Sequence, residues 1–229
     1  MIKCHAEMIQ GSEEWAAARC GLLTASEMHL IVTPTLKAAS NDKERGHLYE
    51  LLSQRITGYV EPSYISDDML RGMNDEEDAL KLYAKAYGKI ERVGFITNDK
   101  WGFTLGYSPD ALVGKDGQVE CKSRRQKYQI KTLVEYVFNK TIDPDFAIQV
   151  QTGLLVSERE WCDLTSYCGG LPMATVRVYP DEKIQAAIVE AATAFEKRIA
   201  DAQAKYESIL ASDARLIPTE RKIIEEMFA

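Results

Sequence analysis

Histidine, paired cysteines and long apolar runs are what this chain has least of. Its three histidines, His5, His29 and His47, have no spacing that would let them share a metal. The five cysteines, Cys4, Cys20, Cys121, Cys162 and Cys168, are odd in number and form no C-x-x-C pair, so neither a disulfide framework nor a zinc cluster is expected. A reducing cytoplasm fits best. No stretch approaches the roughly eighteen apolar residues of a membrane span, and the opening MIKCHAEMIQGSEEW has no apolar run with a cleavage site. The expectation is a soluble, unexported protein with no membrane partner. G-x-S-x-G, H-E-x-x-H, P-loop and G-x-G-x-x-G motifs are also missing, which removes several enzyme classes.

Low-complexity segments and linkers are missing too. The 229 residues, 45% hydrophobic and 28% charged, therefore read as one domain over residues 1–229 with one sizeable core. The net charge of −7 argues mildly against a general nucleic-acid coat. Net charge describes solubility and long-range steering, however, whereas binding depends on where the positive groups lie.

The stretch that carries chemistry is WGFTLGYSPDALVGKDGQVECK, residues 101–122. Ala111–Val113 and Gln118–Lys122 read as two strands joined by a glycine-containing turn over Gly114–Gly117. Alternation puts Glu120 and Lys122 on one face. This pairing sets Asp110 opposite Cys121, so bringing Asp110 to the Glu120 face requires a bulge or bend near Pro109. Two carboxylates and an ammonium then meet, with the Cys121 carbonyl as a further oxygen. Such a set suits a hard divalent cation such as Mg²⁺, and the lysine can orient or deprotonate a water or offset phosphoryl charge. An exposed hairpin with a surface salt bridge fits the same spacing.

Upstream, Ser12 followed by Glu13 and Glu14 reads as a helix start, with a stop at Gly21. Thr24 or Ser26 caps a second helix running to about Val32, and hydroxyls and amides at such a start, with Arg19 beside them, form an anion site or an ordinary cap. Residues 33–46 read as a loop whose Lys37, Lys43 and Arg45 can meet phosphates or solvent. A helix over His47–Gly58 follows, with Leu48, Leu51, Leu52 and Ile56 as its apolar stripe. The next helix, from Ser66 to Tyr87, carries Met69, Met73, Leu80, Tyr83 and Tyr87 on one stripe, and Glu76 interrupts it. A carboxylate there faces a metal, a cation, a polar cleft or the helix edge.

Lys89–Thr97 and Trp101–Tyr107 read as strands. The run Lys122-Ser123-Arg124-Arg125-Gln126-Lys127 is the densest positive patch, suited to a polyanion held beside a cation or to a solvated turn. Helices are expected over Lys131–Asn139 and Pro144–Val156, the latter carrying Gln149 and Gln151. Strands are expected over Trp161–Cys168 and Met173–Tyr179, then a long helix over Asp181–Leu210 and a short one over Thr219–Met227. The helices of 181–229 would pack on the core or at subunit contacts. Helices around a few strands give an α/β class with a central mixed sheet.

Gly11–Trp15, Arg19–Glu27, Arg71-Gly72 to Ala79, Ser108–Ala111, Glu120-Cys121-Lys122 and Gln149-Val150-Gln151, taken in order, resemble the phage λ exonuclease and YqaJ-type viral recombinase family. This is a branch of the PD-(D/E)xK nucleases, with a restriction-endonuclease-like core. The resemblance covers about the first 180 residues. It implies Asp110, Glu120 and the Cys121 carbonyl as metal ligands, Lys122 as the water-activating lysine, Glu76 as the helix glutamate completing the site and Gln149 as a glutamine near the chemistry. It implies that Arg19, Thr24, Ser26 and Ser108 hold a 5′-phosphate. The loop at 33–46 departs from the family, and Met69 is the candidate strand-separating wedge.

The activity implied is Mg²⁺-dependent 5′-to-3′ digestion of one strand of linear duplex DNA, leaving a 3′ overhang. Two Mg²⁺ ions are implied, with Mn²⁺ as a substitute. The resemblance also implies a homotrimeric ring around the DNA and a single-strand annealing protein as partner. A related endonuclease, of restriction or junction-resolving type, and a non-catalytic DNA-end-binding protein are the alternatives.

Overall fold

The computed structural model describes residues 1–62 and 66–221. In chain order these form β1 (Ile2–His5), α1 (Glu13–Arg19), β2 (Leu23–Thr24), a 3₁₀ turn (Met28–Leu30), α2 (Asp42–Thr57), α3 (Asp67–Tyr87), β3 (Phe95–Asn98), β4 (Leu105–Tyr107), β5 (Ala111–Val113) and β6 (Gly117–Ser123). After these come α4 (Gln126–Lys131), a π-helical turn (Thr132–Val137), α5 (Pro144–Ser157), β7 (Trp161–Tyr167), β8 (Ala174–Val178) and α6 (Glu182–Leu210). The α/β class stands. The expected central sheet is resolved into two four-stranded sheets, ordered β1-β3-β4-β2 and β5-β6-β7-β8. Both are mixed, since β2 runs parallel to β4 and β6 parallel to β7 while the other pairs are antiparallel.

The two sheets share α5. Ile148, Leu155 and Val156 on this helix join a core with Ile96, Leu105 and Tyr107, while Val150 and Leu154 pack with Cys162 and Leu164. Being covered from both sides, α5 is apolar nearly all round, as a buried helix should be. Gly153 lets it approach β4: a Cβ there would lie 2.7 Å from the Tyr107 ring. Helix α6 packs on the core through Ile188, Ala191, Ala192, Phe195 and Ile199. Each of its larger buried side chains contributes about 1.5–3 kcal/mol.

Several element boundaries differ from the sequence reading. Thr24 lies in a short strand beside β4, and the helix expected after it is a single 3₁₀ turn. The loop at 33–46 ends early, because Asn41 caps α2 through the Glu44 amide and the buried Glu44 pairs with Arg198 of α6 at 2.9 Å. Helix α3 does start at Ser66, but Met69, Met73 and Tyr87 are exposed and only Leu80 and Tyr83 of the expected stripe are buried. Ile56 of α2 is likewise exposed. The strands expected over 89–97 and 101–107 shrink to β3 and β4, and the helix expected from Lys131 begins at Gln126. The short helix expected at Thr219–Met227 falls largely outside the described residues.

The most consequential correction concerns the hairpin. Ala111 pairs with Val119, Leu112 with Gln118 and Val113 with Gly117. Gly117 is thus a strand residue, the turn is one residue shorter, and continuing the register sets Asp110 opposite Glu120. No bulge is required. Gly117 must be glycine to pair there, since a Cβ would sit 2.1 Å from the Trp161 ring.

Candidate active site

Strand β6 carries Glu120 and Lys122 on one face, with Asp110 at the mouth of β5. Glu120 is 3% exposed and its carboxylate is surrounded by donors. Lys122 Nζ donates to Oε1 at 2.9 Å, Gln149 Nε2 to the same oxygen at 2.5 Å, and Tyr107 OH to Oε2 at 3.1 Å. Lys122 Nζ also donates to Gln149 Oε1 at 2.8 Å, which locks amide and ammonium together. Asp110 Oδ2 accepts from the Cys121 amide at 2.5 Å. That bond places the main chain of Cys121 against Asp110.

The charges explain the titration of this cluster. Burial, then the charges of Glu120 and Glu76, push Asp110 well above the usual carboxylate range. Burial also raises Glu76, opposed by Arg92 and reinforced by Glu120. Burial pulls the Lys122 ammonium down, but Glu120 and Asp110 outweigh it and hold Lys122 above the ordinary lysine value. Burial and the Glu120 carboxylate keep Tyr107 a protonated donor. The charges of Asp110, Glu120 and Glu76 thus act on one another, with Lys122 paired to Glu120 and Arg92 to Glu76.

Every available donor is a hard oxygen, which fits a cation such as Mg²⁺. Among the described residues no three His, Cys, Asp or Glu side chains form a ready-made metal cage. An ion would thus rely on the Asp110 and Glu120 carboxylates, a main-chain carbonyl and waters, and Mg²⁺ characteristically keeps several waters.

The four residues expected to hold a phosphate do meet. Arg19 donates to Thr24 Oγ1 at 3.2 Å, to Ser108 Oγ at 3.4 Å and to Ser26 Oγ at 3.5 Å. Trp15, which sequence reasoning left without a role, donates from Nε1 to Ser108 Oγ at 2.9 Å and stacks 4.4 Å from the Arg19 guanidinium. Glu27 was also missed, and it accepts from Thr24 Oγ1 at 2.9 Å. Burial lowers the Arg19 pKa, with the Glu27 charge opposing.

A cleft of about 810 Å³ is lined by Gln10, Ser12 and Trp15 together with Met73, Glu76 and Arg92, and so takes in Trp15 of the hydroxyl pocket and the helix glutamate. Gln10 and Arg92 carried no signal in the sequence reading. Tyr107 lay inside the chemical stretch, three residues before Asp110, and was passed over as a strand residue.

The expected DNA-contacting residues are dispersed. Lys37 and Lys43 are exposed on the loop and the first turn of α2. Arg45 pairs with Asp42 and lines a separate groove between α2 and α6. Met69 is 48% exposed in the first turn of α3. The basic run is partly spent internally: Arg124 is largely buried against Asp143 at 2.9 Å, and Arg125 clasps Asp68 at 2.9 Å. Lys127 stands exposed over the Tyr128 ring. Gln151 turns away from the site and caps the main chain at Tyr179 and Asp181.

A P-D-x₉-E-x-K hairpin backed by a helix glutamate, in a mixed α/β fold, defines the PD-(D/E)xK nuclease class. Residues 14–160 match the YqaJ-like viral recombinase domain, and the chain belongs to that family. An alkaline exonuclease from Laribacter hongkongensis is similar over 86% of this chain and 100% of its own, with 28% identity and a TM-score of 0.71. The same enzyme in complex with dAMP matches at 29% identity and a TM-score of 0.70 over the same shares. A phage-related exonuclease from Haemophilus somnus 129PT shares the fold, at 13% identity and a TM-score of 0.57, over 81% of this chain and 96% of its own. No curated protein sequence matches the chain. No helix among the described residues is long and apolar enough to cross a membrane.

Proposed function

We propose that the chain is a Mg²⁺-dependent exonuclease that digests one strand of linear duplex DNA from its 5′ end and leaves a 3′ overhang for recombination by strand annealing. The observation that carries this reading is the adjacency of the two clusters. Ser108, in the pocket with Arg19, lies two residues before Asp110, in the cluster with Glu120 and Lys122. One short loop would thus face both a strand end and the bond next to it.

Arg19, with the hydroxyls of Thr24, Ser26 and Ser108, would grip the terminal 5′-phosphate, and the guanidinium sits 4.4 Å from the centre of the Trp15 ring. Asp110, Glu120 and the Cys121 carbonyl would hold Mg²⁺, with Glu76 completing the acidic wall. When bound, the ion supplies Lewis-acid stabilisation of phosphoryl charge and lowers the pKa of water. Lys122, fixed by Glu120 and Gln149 and held in its charged form, orients the attacking water and offsets charge on the phosphoryl oxygens. Hydrolysis adds the water's hydroxyl to phosphorus and its proton to the departing 3′ oxygen. The product is a 5′-mononucleotide, the class of molecule seen bound to the Laribacter relative in its dAMP complex. The shortened strand ends again in a 5′-phosphate, which the Arg19 pocket can take after one step.

This reading includes a homotrimeric ring around DNA, an annealing protein as partner, a cytoplasmic setting and a single domain over the whole chain. A ring would reconcile the net charge of −7 with DNA binding, because basic groups would line the channel. The test is digestion of labelled linear and closed circular duplex, with 5′-phosphate and 5′-hydroxyl ends, with and without Mg²⁺. Mononucleotides released from linear 5′-phosphorylated ends only with Mg²⁺ support the reading. Cutting of the circle indicates an endonuclease, and binding without release indicates an end-binding protein.

A further inference from the structure

The main chain on both sides of Arg92 is tied to the loop that carries Asp110. The preceding Glu91 bridges the edge of β5, donating to Leu112 O at 2.8 Å and accepting from Leu112 N at 2.7 Å. The following Val93 accepts from Gln10 Nε2 at 3.1 Å, and the same amide donates to Pro109 O at 2.8 Å. From this anchor the guanidinium lies 3.0 Å from Glu76 Oε1 and 3.5 Å from Glu77 Oε1, with 46% of its side chain exposed. Among the described residues lining the cleft, Glu76 and Glu77 are the carboxylates and Arg92 is the cation. Arg92 and Glu77 are largely exposed and Glu76 about a quarter so, and ion pairs at the surface contribute little. A nucleic-acid strand crossing the same cleft meets two carboxylates that repel it and one fork-shaped donor that matches a phosphate.

We propose that Arg92 is a DNA-contacting residue with two alternating partners, Glu76 and Glu77 in the DNA-free protein and a backbone phosphate once a strand enters the cleft. The move does two things together. It neutralises a phosphate beside the Asp110 cluster, and it releases the Glu76 carboxylate for a cation. The proposal rests on the nuclease reading above.

The test uses Arg92→Gln and Arg92→Ala in the full chain, with thermal melting to confirm folding, which a half-exposed side chain does not control. Mn²⁺ is titrated calorimetrically into the DNA-free protein. A fluorescent 5′-phosphorylated duplex is titrated by anisotropy in EDTA across a salt series. Both variants are expected to bind Mn²⁺ about two- to fivefold more tightly, because the competing guanidinium is gone. They are expected to bind duplex more weakly, with a log–log salt slope shallower by about 0.9, the value of one phosphate contact. An unchanged slope, or an Mn²⁺ affinity that is unchanged or weaker, overturns the proposal. A purely structural ion pair would leave the salt slope unchanged. Asp110→Asn in the same titration separates the two readings. If Mn²⁺ affinity does not depend on Asp110, the nuclease site is refuted and the proposal with it. If it does and the Arg92 variants match wild type, the proposal alone fails.

Discussion

Arg19→Ala tests the phosphate pocket most directly, and the structure sets the size of the effect. Arg19 reaches its three hydroxyl partners at 3.2–3.5 Å, near the outer limit of a hydrogen bond, so its donors are under-used within the protein. Its charge is sheltered by burial and by the Trp15 ring, and burial lowers its pKa with only Glu27 opposing. A terminal phosphate would supply the missing acceptors and add its charge to that of Glu27. Hydrogen bonds to charged groups contribute about 1.5–3 kcal/mol each. Since 1.4 kcal/mol is about a tenfold change, losing one such bond lowers the preference for 5′-phosphate over 5′-hydroxyl ends about ten- to hundredfold. Losing a bidentate grip lowers it further. The assay is kcat/KM for mononucleotide release from the two duplexes. The effect should fall on the phosphorylated substrate alone, while the rate on 5′-hydroxyl ends stays near wild type. Inorganic phosphate should also raise the Tm of the wild type and leave that of the variant unmoved. An unchanged preference, or equal slowing on both ends, would refute the pocket and leave Arg19 as a packing residue.

Two further outcomes follow from the hairpin. Because the folded-state pKa of Asp110 is raised, its contribution to stability is fully present below the ordinary aspartate value near 4 and is lost as pH rises through the raised value. In EDTA, Asp110→Asn should therefore melt above wild type at pH 8, converge with it near pH 4, lose the Mg²⁺-induced rise in Tm and release no nucleotide. A variant that melts at the wild-type temperature at pH 8 counts against the charge crowding. Gly117→Ala, whose Cβ would lie 2.1 Å from the Trp161 ring, should destabilise the protein by about 1–3 kcal/mol, the usual cost of overpacking. A urea midpoint equal to that of wild type would contradict the close β6–β7 packing.

What the sequence made legible was set by local rules. Ser66 and Ser12 cap helices as short polar residues should, and Gly58 closes α2 in the left-handed conformation. The failures lie where a distant element decides. Residues 33–46 read as loop because a Pro, small polar residues and both charge signs combine there, yet Glu44 is buried against Arg198, 154 positions away, and that contact holds the first turn of α2. Met69 and Met73 sit at core spacing but are exposed, Met73 lining a cleft, because the end of β6 meets this part of α3 through polar contacts of Ser123 with Arg71 and Asp75, whereas Leu80 and Tyr83 pack on Ala111 and Val119. Periodicity records which residues share a face. It does not record whether anything covers that face.

The candidate site divides along the same line. The candidate roles of Asp110, Glu120, Lys122, Glu76 and Gln149, and of Arg19, Thr24, Ser26 and Ser108, came from the ordered family resemblance, because spacing alone fits a surface salt bridge, a helix edge or an ordinary cap as well; the structure groups Glu120, Lys122 and Gln149 by hydrogen bonds and Arg19 with the three hydroxyls. Their register was not legible, because one residue of turn length decides whether Asp110 faces Glu120 or Cys121. The deciding contact lies on another strand. Trp161 covers the space where a Gly117 side chain would be, so glycine can enter the ladder and the turn shortens by one. Tyr107, Trp15, Gln10 and Arg92 escaped notice for a related reason. Each acts by completing another residue's hydrogen bonds or charge, and such a role becomes visible only when the partner's position is known. Glu120 makes the point most sharply. On β6 it is simply a buried carboxylate, which would be costly to leave unpaired, and Lys122, Gln149 and Tyr107 are what make its burial tolerable.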